Sequence, residues 1–337
     1  LQKNLSQASN QIYGRHKIPE NFVCSLLFYI LRQTNFFVME FKQYCQTIFG
    51  AFETFARGYS PVNAAALAVC ADLVYEDWIV VEKVVRSLGF SYFKYADVRG
   101  TQSFTIADEN KIIVAFRGTE VAEFADIKTD IDTSLQPYFY PNRNKYYALI
   151  DDYENKKTEA RRGLIHQGFK ESLDLIWTIV YRQVLECIEE DKQVTKKYRP
   201  IWVCGHSLGG ALANLATSRF WEHDVDEING TYTFGQPRVG NKEFADWFNH
   251  LAKYRYFRVV NNNDIVARVP FFKGYAHVGE FKYFDSRGAL REEDLTRSEM
   301  LWDRMRSGFF GDFAKDHSMR NYIRITASAL GHTNIII

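Results

Sequence analysis

Ile201-Trp202-Val203-Cys204-Gly205-His206-Ser207-Leu208-Gly209-Gly210-Ala211-Leu212-Ala213 is the stretch that decides the fold. An apolar run of strand type leads in and a run of small and apolar residues of helix type leads out. Between them stands a serine in a G-x-S-x-G pattern, Gly205 to Gly209. The pattern alone is weak, because a Gly-Ser turn before a helix is commonplace. Its setting gives it content. A serine held on a sharp strand-to-helix turn needs glycines beside it, because the chain there passes too close for Cβ atoms. The small residues that follow, Gly210, Ala211 and Ala213, let the outgoing helix lie close against a sheet.

The neighbouring segments supply that sheet. Ser91–Val98, Ser103–Ala107 and Lys111–Phe116 read as strands, and the Ile-Ile-Val-Ala-Phe run of the third predicts burial on both faces. A long amphipathic helix is expected over Lys170–Glu190, with Phe169, Leu173, Ile176, Val180 and Val184 on one side. Beyond the Ile201–Cys204 strand and the Leu208–Phe220 helix come a strand over Gly230–Phe234, a helix over Lys242–Leu251 and a strand over Tyr254–Val260. Strands alternating with helices predict an α/β fold with a mostly parallel sheet covered on both faces. Residues 1–59 read as a separate helical N-terminal extension, with apolar residues at helical spacing at Phe22, Leu26, Tyr29 and Ile30 and again at Phe41, Cys45, Ile48, Phe52 and Phe55. Ser60-Pro61 is an N-cap followed by proline at the first helical position, so residues 60–337 form the expected main domain.

Composition excludes several classes. With 46% hydrophobic residues over 337 positions the chain has ample material for a core, which rules out disorder over most of its length. The 42 Lys and Arg nearly cancel the 41 Asp and Glu, leaving no basic footprint for nucleic acid. The most apolar run, Phe22–Leu31, is far short of the roughly 20 residues that span a bilayer. No secretory leader is visible, and the chain opens on Leu1 rather than methionine. The five cysteines, at 24, 45, 70, 187 and 204, have no regular spacing and read as mostly free, buried thiols. No two histidines have metal-ligand spacing, so no metal is expected. The 27 Phe and 20 Tyr suit a core, an acyl-chain pocket or a lipid interface equally well.

Taken together, Gly205–Ala213, the strand ending Phe116-Arg117-Gly118-Thr119, His166-Gln167-Gly168-Phe169, and Thr233-Phe234-Gly235-Gln236-Pro237-Arg238-Val239-Gly240-Asn241 resemble the class 3 lipases. Asn263-Asp264, Gly274 to Glu280 and Asp316-His317 continue the order of that family. The resemblance runs from about Ser60 to Ile325. It implies an α/β-hydrolase fold and serine-dependent hydrolysis of lipid esters.

Such chemistry needs a base for the serine hydroxyl and a carboxylate to orient that base, arranged along an α/β-hydrolase chain as Ser, acid, His. Ser207 is the nucleophile. Asp264 follows the Tyr254–Val260 strand in the turn-forming run Asn261-Asn262-Asn263, where the acid belongs, and the family pattern selects it too. Its chief rival, Asp285, reads better as part of a hairpin turn with Ser286, Arg287 and Gly288, and Asp246 lies inside a helix. Of the histidines downstream, His277 resembles a structural element of the family and His332 sits in the tail. His317, just before the helical pattern of Met319, Tyr322 and Ile323, is the expected base. The oxyanion hole is expected from the backbone N–H of Leu208, the residue after the nucleophile, and, as the resemblance implies, from Thr119.

Glu120–Asp132 falls where related lipases carry a lid, although its acidic residues also suit an ordinary surface helix. Pro137–Tyr153 reads as an aromatic insertion relative to the compact fungal members. No cofactor is expected, and the expected partner is a lipid ester at a lipid–water interface, met by a secreted or peripherally membrane-associated protein. An esterase for short or aromatic acyl groups, a phospholipase or galactolipase, an acyltransferase and a non-catalytic lipid-binding relative remain as alternatives on the same fold.

Overall fold

A computed structural model describes residues 40–118, 134–138, 162–223, 225, 227–270, 274–291 and 313–333. Thr119, the Glu120–Asp132 segment, nearly all of Pro137–Tyr153 and the helix expected around Phe22–Ile30 lie outside the described residues. By its contacts the chain divides into two units, Leu1–Tyr44 with Ile336–Ile337, and Cys45–Ile335. Of the first, only residues 40–44 are described, as the start of a helix over 40–50 (α1).

The second unit is built on a sheet that, among the described residues, has eight strands. β1 (Tyr92–Val98), β2 (Thr101–Ala107) and β3 (Ile112–Phe116) are joined by β6 (Ile201–His206), β7 (Ile228–Phe234), β9 (Tyr256–Asn261), β11 (Glu280–Phe284) and β12 (Leu290–Arg291), in that spatial order. β3, β6, β7, β9 and β11 run parallel, while β1, β2 and β12 are antiparallel at the edges. All five residues of β3 and all six of β6 are buried, as the unbroken apolar runs require of strands covered on both faces. A small antiparallel sheet of β4 (Leu135–Pro137), β5 (Leu164–His166), β8 (Gly240–Asn241) and β10 (Tyr275–Ala276) has strands too short to carry a periodic signal in the sequence.

The helices follow local chemistry. In α2 (Pro61–Leu73), Pro61 opens the first turn and the Ser60 hydroxyl accepts from the Asn63 N–H. α3 covers Trp78–Ser87 and is capped by Asp77. α4 (Gln167–Glu190) begins three residues earlier than its periodicity indicates, because His166 caps it by accepting from the Phe169 N–H at 3.3 Å. It buries Leu173, Ile176, Val180 and Val184 as expected. α5 (Leu208–Glu222) is buried from Gly209 to Phe220; its glycines and alanines let it lie close against the sheet, and the buried Arg219 pairs with Asp174 on α4. α6 (Lys242–Ala252), α7 (Phe313–His317) and α8 (Met319–Ala329) are the remaining α-helices among the described residues.

Residues 45–59 belong with the sheet: Phe52 stands edge-on to Trp202 at 5.2 Å, Tyr59 packs on Tyr232 at 5.7 Å, and Asn229 donates to the Ala56 carbonyl at 2.9 Å. Phe55 does not join Cys45, Ile48 and Phe52 in the core. The helix stops at residue 50, so Phe55 falls off its face and is exposed. Cys45, Cys70, Cys187 and Cys204 are free and buried.

Candidate active site

The parallel register brings the functional loops to one edge. Phe116 pairs with Gly205, His206 with Phe234, and Phe234 with Val259, so β3, β6, β7 and β9 end side by side. Ser207 sits between β6 and α5 with φ 58° and ψ −127°, a conformation an L residue adopts only when its surroundings impose it, at a cost of about 1–3 kcal/mol. A Cβ on Gly205 would collide with the Gly209 carbonyl, and one on Gly209 with the Phe116 carbonyl, so both flanking glycines are obligatory. The Ser207 N–H donates to the Phe234 carbonyl at 2.9 Å, tying the turn to the next strand. Its Oγ is buried and makes no hydrogen bond among the described residues.

Asp264 and His317 meet. The His317 Nδ1–H donates to Asp264 Oδ2 at 2.9 Å, with both side chains buried. A carboxylate can only accept, so Nδ1 carries the hydrogen and Nε2 is the basic nitrogen. Asp264 Oδ2 also accepts from the Tyr322 hydroxyl at 2.5 Å, and Oδ1 accepts from the N–H groups of Val266 at 2.9 Å and Ala267 at 3.4 Å. Burial opposes ionisation of Asp264. The adjacent His317 and the hydrogen bonds from His317 and Tyr322 outweigh it and hold the carboxyl below its ordinary range. Tyr322, buried beside that carboxylate, is pushed well above the usual phenol range and keeps its proton to donate. His317 is the last residue of the short helix α7, rather than part of a loop as its sequence context indicates.

The acid loop and the histidine loop are sewn together. Asn261 Nδ2 donates to the Asp316 carbonyl at 2.9 Å, and Asn262 Nδ2 and the Asn263 N–H donate to the Asp316 carboxylate at 3.1 and 3.2 Å. The three asparagines, legible in sequence only as turn formers, thus position the residue next to His317. Asp285 is employed elsewhere. It accepts from the N–H groups of Arg287 and Ala289 and pairs with Arg291, the turn role expected for it.

His206 joins the nucleophile turn to the histidine loop. Its Nε2 lies 2.7 Å from the His317 carbonyl oxygen, which can only accept, so Nε2 carries the hydrogen and Nδ1 accepts from the Tyr75 hydroxyl at 2.9 Å. The His206 and His317 rings lie 4.4 Å apart. Tyr75, between α2 and α3, was not a sequence candidate, and neither was Tyr322; no local pattern distinguishes either from a core tyrosine. Replacing Tyr75 by phenylalanine leaves a buried Nδ1 without its donor, and kcat on a soluble ester should fall about tenfold at unchanged KM. An unaltered kcat would remove Tyr75 from this network.

Burial, reinforced by nearby His317, lowers His206 to about 3; burial, with the charges of Arg258 and Arg238 nearby, also holds His277 well below its ordinary range. An unfolded histidine takes up a proton near pH 6.5, whereas these two refuse it while folded. The unfolded state therefore binds more protons over this window, and stability falls as pH drops below about 6.5, at up to about 1.4 kcal/mol per pH unit for each group. The urea midpoint should decline steadily from pH 7 to pH 5. A flat or rising midpoint would contradict neutral burial.

Gly235 is a further requirement. At φ 60°, a Cβ there would lie 2.5 Å from Asp264 Oδ2 and 2.8 Å from His317 Nδ1. Gly235→Ala should spread the pair and lower kcat about a hundredfold with the fold retained, since displacements near 1 Å cost that much. Wild-type turnover in this variant, measured on a soluble ester, would show that the pair does not need the contact.

On the oxyanion side, Leu208 opens α5. Gly118 passes against the nucleophile, where its Cβ would come 3.1 Å from Ser207 Cβ and 2.5 Å from the Tyr75 hydroxyl. Arg117 anchors this loop. Its N–H donates to the Gln102 carbonyl at 3.0 Å, and its guanidinium lies 5.3 Å from the centre of the Tyr75 ring. Thr119 itself lies outside the described residues. Among those residues, no group of three or more His, Cys, Asp or Glu side chains is placed to hold a metal ion, and no helix is long and apolar enough to cross a membrane.

A serine strained at the end of a parallel strand, with an aspartate and a histidine delivered to the same edge by later loops, places this chain among the α/β-hydrolases. Residues 113–274, just under half of the chain, match the model of the family described as lipase (class 3). It is 31% identical over 320 residues to the triacylglycerol lipase OBL1 of Ricinus communis, covering 80% of this chain and 55% of that protein. Against the Nicotiana tabacum OBL1 it is 38% identical over 299 residues, 65% of this chain and 51% of that one. The chain thus spans about half the length of these curated relatives. The Rhizomucor miehei triacylglyceride lipase structure superposes with a TM-score of 0.53 at 21% identity, over 76% of this chain and 91% of that one, a likeness of fold.

Proposed function

We propose that this protein hydrolyses carboxylic esters of lipids, acylglycerols foremost, through an acyl-enzyme. The observation that carries the reading is the buried Asp264–His317 hydrogen bond set at the same strand ends as the strained Ser207. His317 Nε2 takes the Ser207 proton as Oγ attacks the ester carbonyl, then returns it to the departing alcohol. Asp264 holds the ring in the tautomer that makes this possible and stabilises the imidazolium. The N–H groups of Leu208 and Thr119 are the proposed donors to the oxyanion, and the N-terminal turn of α5 adds its dipole at the same place. Water then attacks the acyl-enzyme, activated by the same histidine. These steps need no cofactor. Such substrates gather at lipid surfaces, so the proposed setting is a secreted or peripherally membrane-associated one.

The test is hydrolysis of p-nitrophenyl esters from two to sixteen carbons beside an emulsified triacylglycerol, with wild type and Ser207→Ala in parallel. Preference for long chains with turnover of the emulsion, both lost in the variant, is the expected result. Turnover confined to short esters would make the protein an esterase, and no turnover on any substrate would leave a binding protein.

A further inference from the structure

We propose that the first turn of α3, Trp78-Ile79-Val80, is an anchor that enters an uncharged lipid surface and holds the mouth of the site against it. The proposal rests on the lipid-ester reading above.

Successive residues on a helix point about 100° apart, so three apolar residues in a row ring the turn and cannot all face a core. α3 buries Val81 and Val85, and on that geometry Ile79 and Val80 point away from them. Trp78, Ile79 and Val80 are 48%, 47% and 45% exposed. Single exposed apolar residues are ordinary, whereas a contiguous group headed by tryptophan suits a boundary between water and hydrocarbon.

Position assigns the occupant. Tyr75 touches both sides of the site, bonding His206 beside the nucleophile and lying against the Gly118 loop. Trp78 follows it by three residues, at most about 11 Å of chain. Two other exposed apolar residues, Val194 and Tyr254, precede β6 and β9 and so lie at the opposite, entry ends of the parallel strands, while Leu175 and Ile179 stand on α4 and Phe281 within β11. The turn is also firmly mounted, since Val81 and Val85 pin the helix and the Asp77 carboxylate caps it through the Ile79 N–H at 2.8 Å. Charge narrows the surface further. Glu76 and Asp77, both exposed, border the patch. Lys83, also exposed, stands one turn on from Ile79, but the two acids outnumber it, so an anionic bilayer is disfavoured and the fitting partner is a neutral or zwitterionic lipid surface.

The experiment compares the Trp78→Ser/Ile79→Ser/Val80→Ser variant with wild type. In the Ser207→Ala background, flotation with triolein droplets coated in phosphatidylcholine should show about tenfold weaker binding, because interfacial affinity scales with buried apolar area. In the active background, the ratio of emulsion turnover to p-nitrophenyl butyrate turnover should fall about tenfold. Val194→Ser/Tyr254→Ser should leave that ratio unchanged, and Trp78→Ser alone should lower it severalfold should the triple variant fold poorly. Adding phosphatidylserine to the droplet coat should weaken wild-type binding. Wild-type-like flotation of the patch variants, an equal fall on both substrates, or tighter binding to the anionic coat would overturn the anchor. If wild type hydrolyses no ester, the functional reading fails while flotation of the Ser207→Ala protein still decides the anchor.

Discussion

Ser207→Ala should lower kcat by about a millionfold while the protein folds as before or becomes slightly more stable. The loss is large because the hydroxyl is the attacking group, and a perfectly placed histidine–aspartate pair has nothing to deprotonate without it. What survives is the slow attack of water assisted by the oxyanion donors. The stability expectation comes from the site itself. Ser207 Oγ is buried without a hydrogen-bond partner among the described residues, a state that costs about 1–3 kcal/mol. Alanine removes that atom but keeps the Cβ, so the strain at φ 58° persists and the elbow geometry with it. Thermal unfolding beside single-turnover kinetics checks both halves. A variant that keeps more than about one hundredth of wild-type kcat would mean that another group is the nucleophile.

Asp264→Asn should lower kcat by about ten-thousandfold and also destabilise the protein. Both carboxylate oxygens face donors: His317 and Tyr322 at Oδ2, Val266 and Ala267 at Oδ1. An amide has one accepting end, so in either orientation its NH2 group confronts donors. With the NH2 toward His317, the ring is driven to the tautomer whose Nε2 carries hydrogen and cannot accept the serine proton. With the NH2 toward Val266 and Ala267, two buried N–H groups lose their acceptor, at about 1–3 kcal/mol each. Asp285→Asn serves as the contrast and should leave kcat near wild type, since Asp285 organises the turn before β12. The reverse outcome, with Asp285→Asn inactive and Asp264→Asn active, would exchange the two roles.

The elements that reached the sequence most clearly are those whose chemistry is local. The G-x-S-x-G turn needs glycines because two carbonyls pass within contact of Gly205 and Gly209, and that need is written into adjacent residues. The buried parallel strands announce themselves as unbroken apolar runs, and Ser60-Pro61 caps α2 as such a pair should. From strand ends and the order of residues along the chain, Asp264 and His317 could be nominated. Their hydrogen bond spans 53 positions, and no local pattern encodes that separation.

The remainder was settled by packing. Residues 45–59 read as an extension, yet Phe52 and Tyr59 complete aromatic contacts with β6, β7 and β9, which periodicity cannot assign to one partner over another. Tyr75 and Tyr322 look like any core tyrosine until the folded chain sets one hydroxyl on His206 and the other on Asp264. Sequence by itself determined the α/β layering, the nucleophile turn and the candidate acid and base, because these follow from burial period, steric need and chain order. Only the tertiary structure decided how the acid is held ionised, how the histidine loop is braced, and which apolar residues remain at the surface. Those properties belong to atoms brought together from distant positions, whose donors, acceptors and neighbours exist only once the parallel strands end side by side.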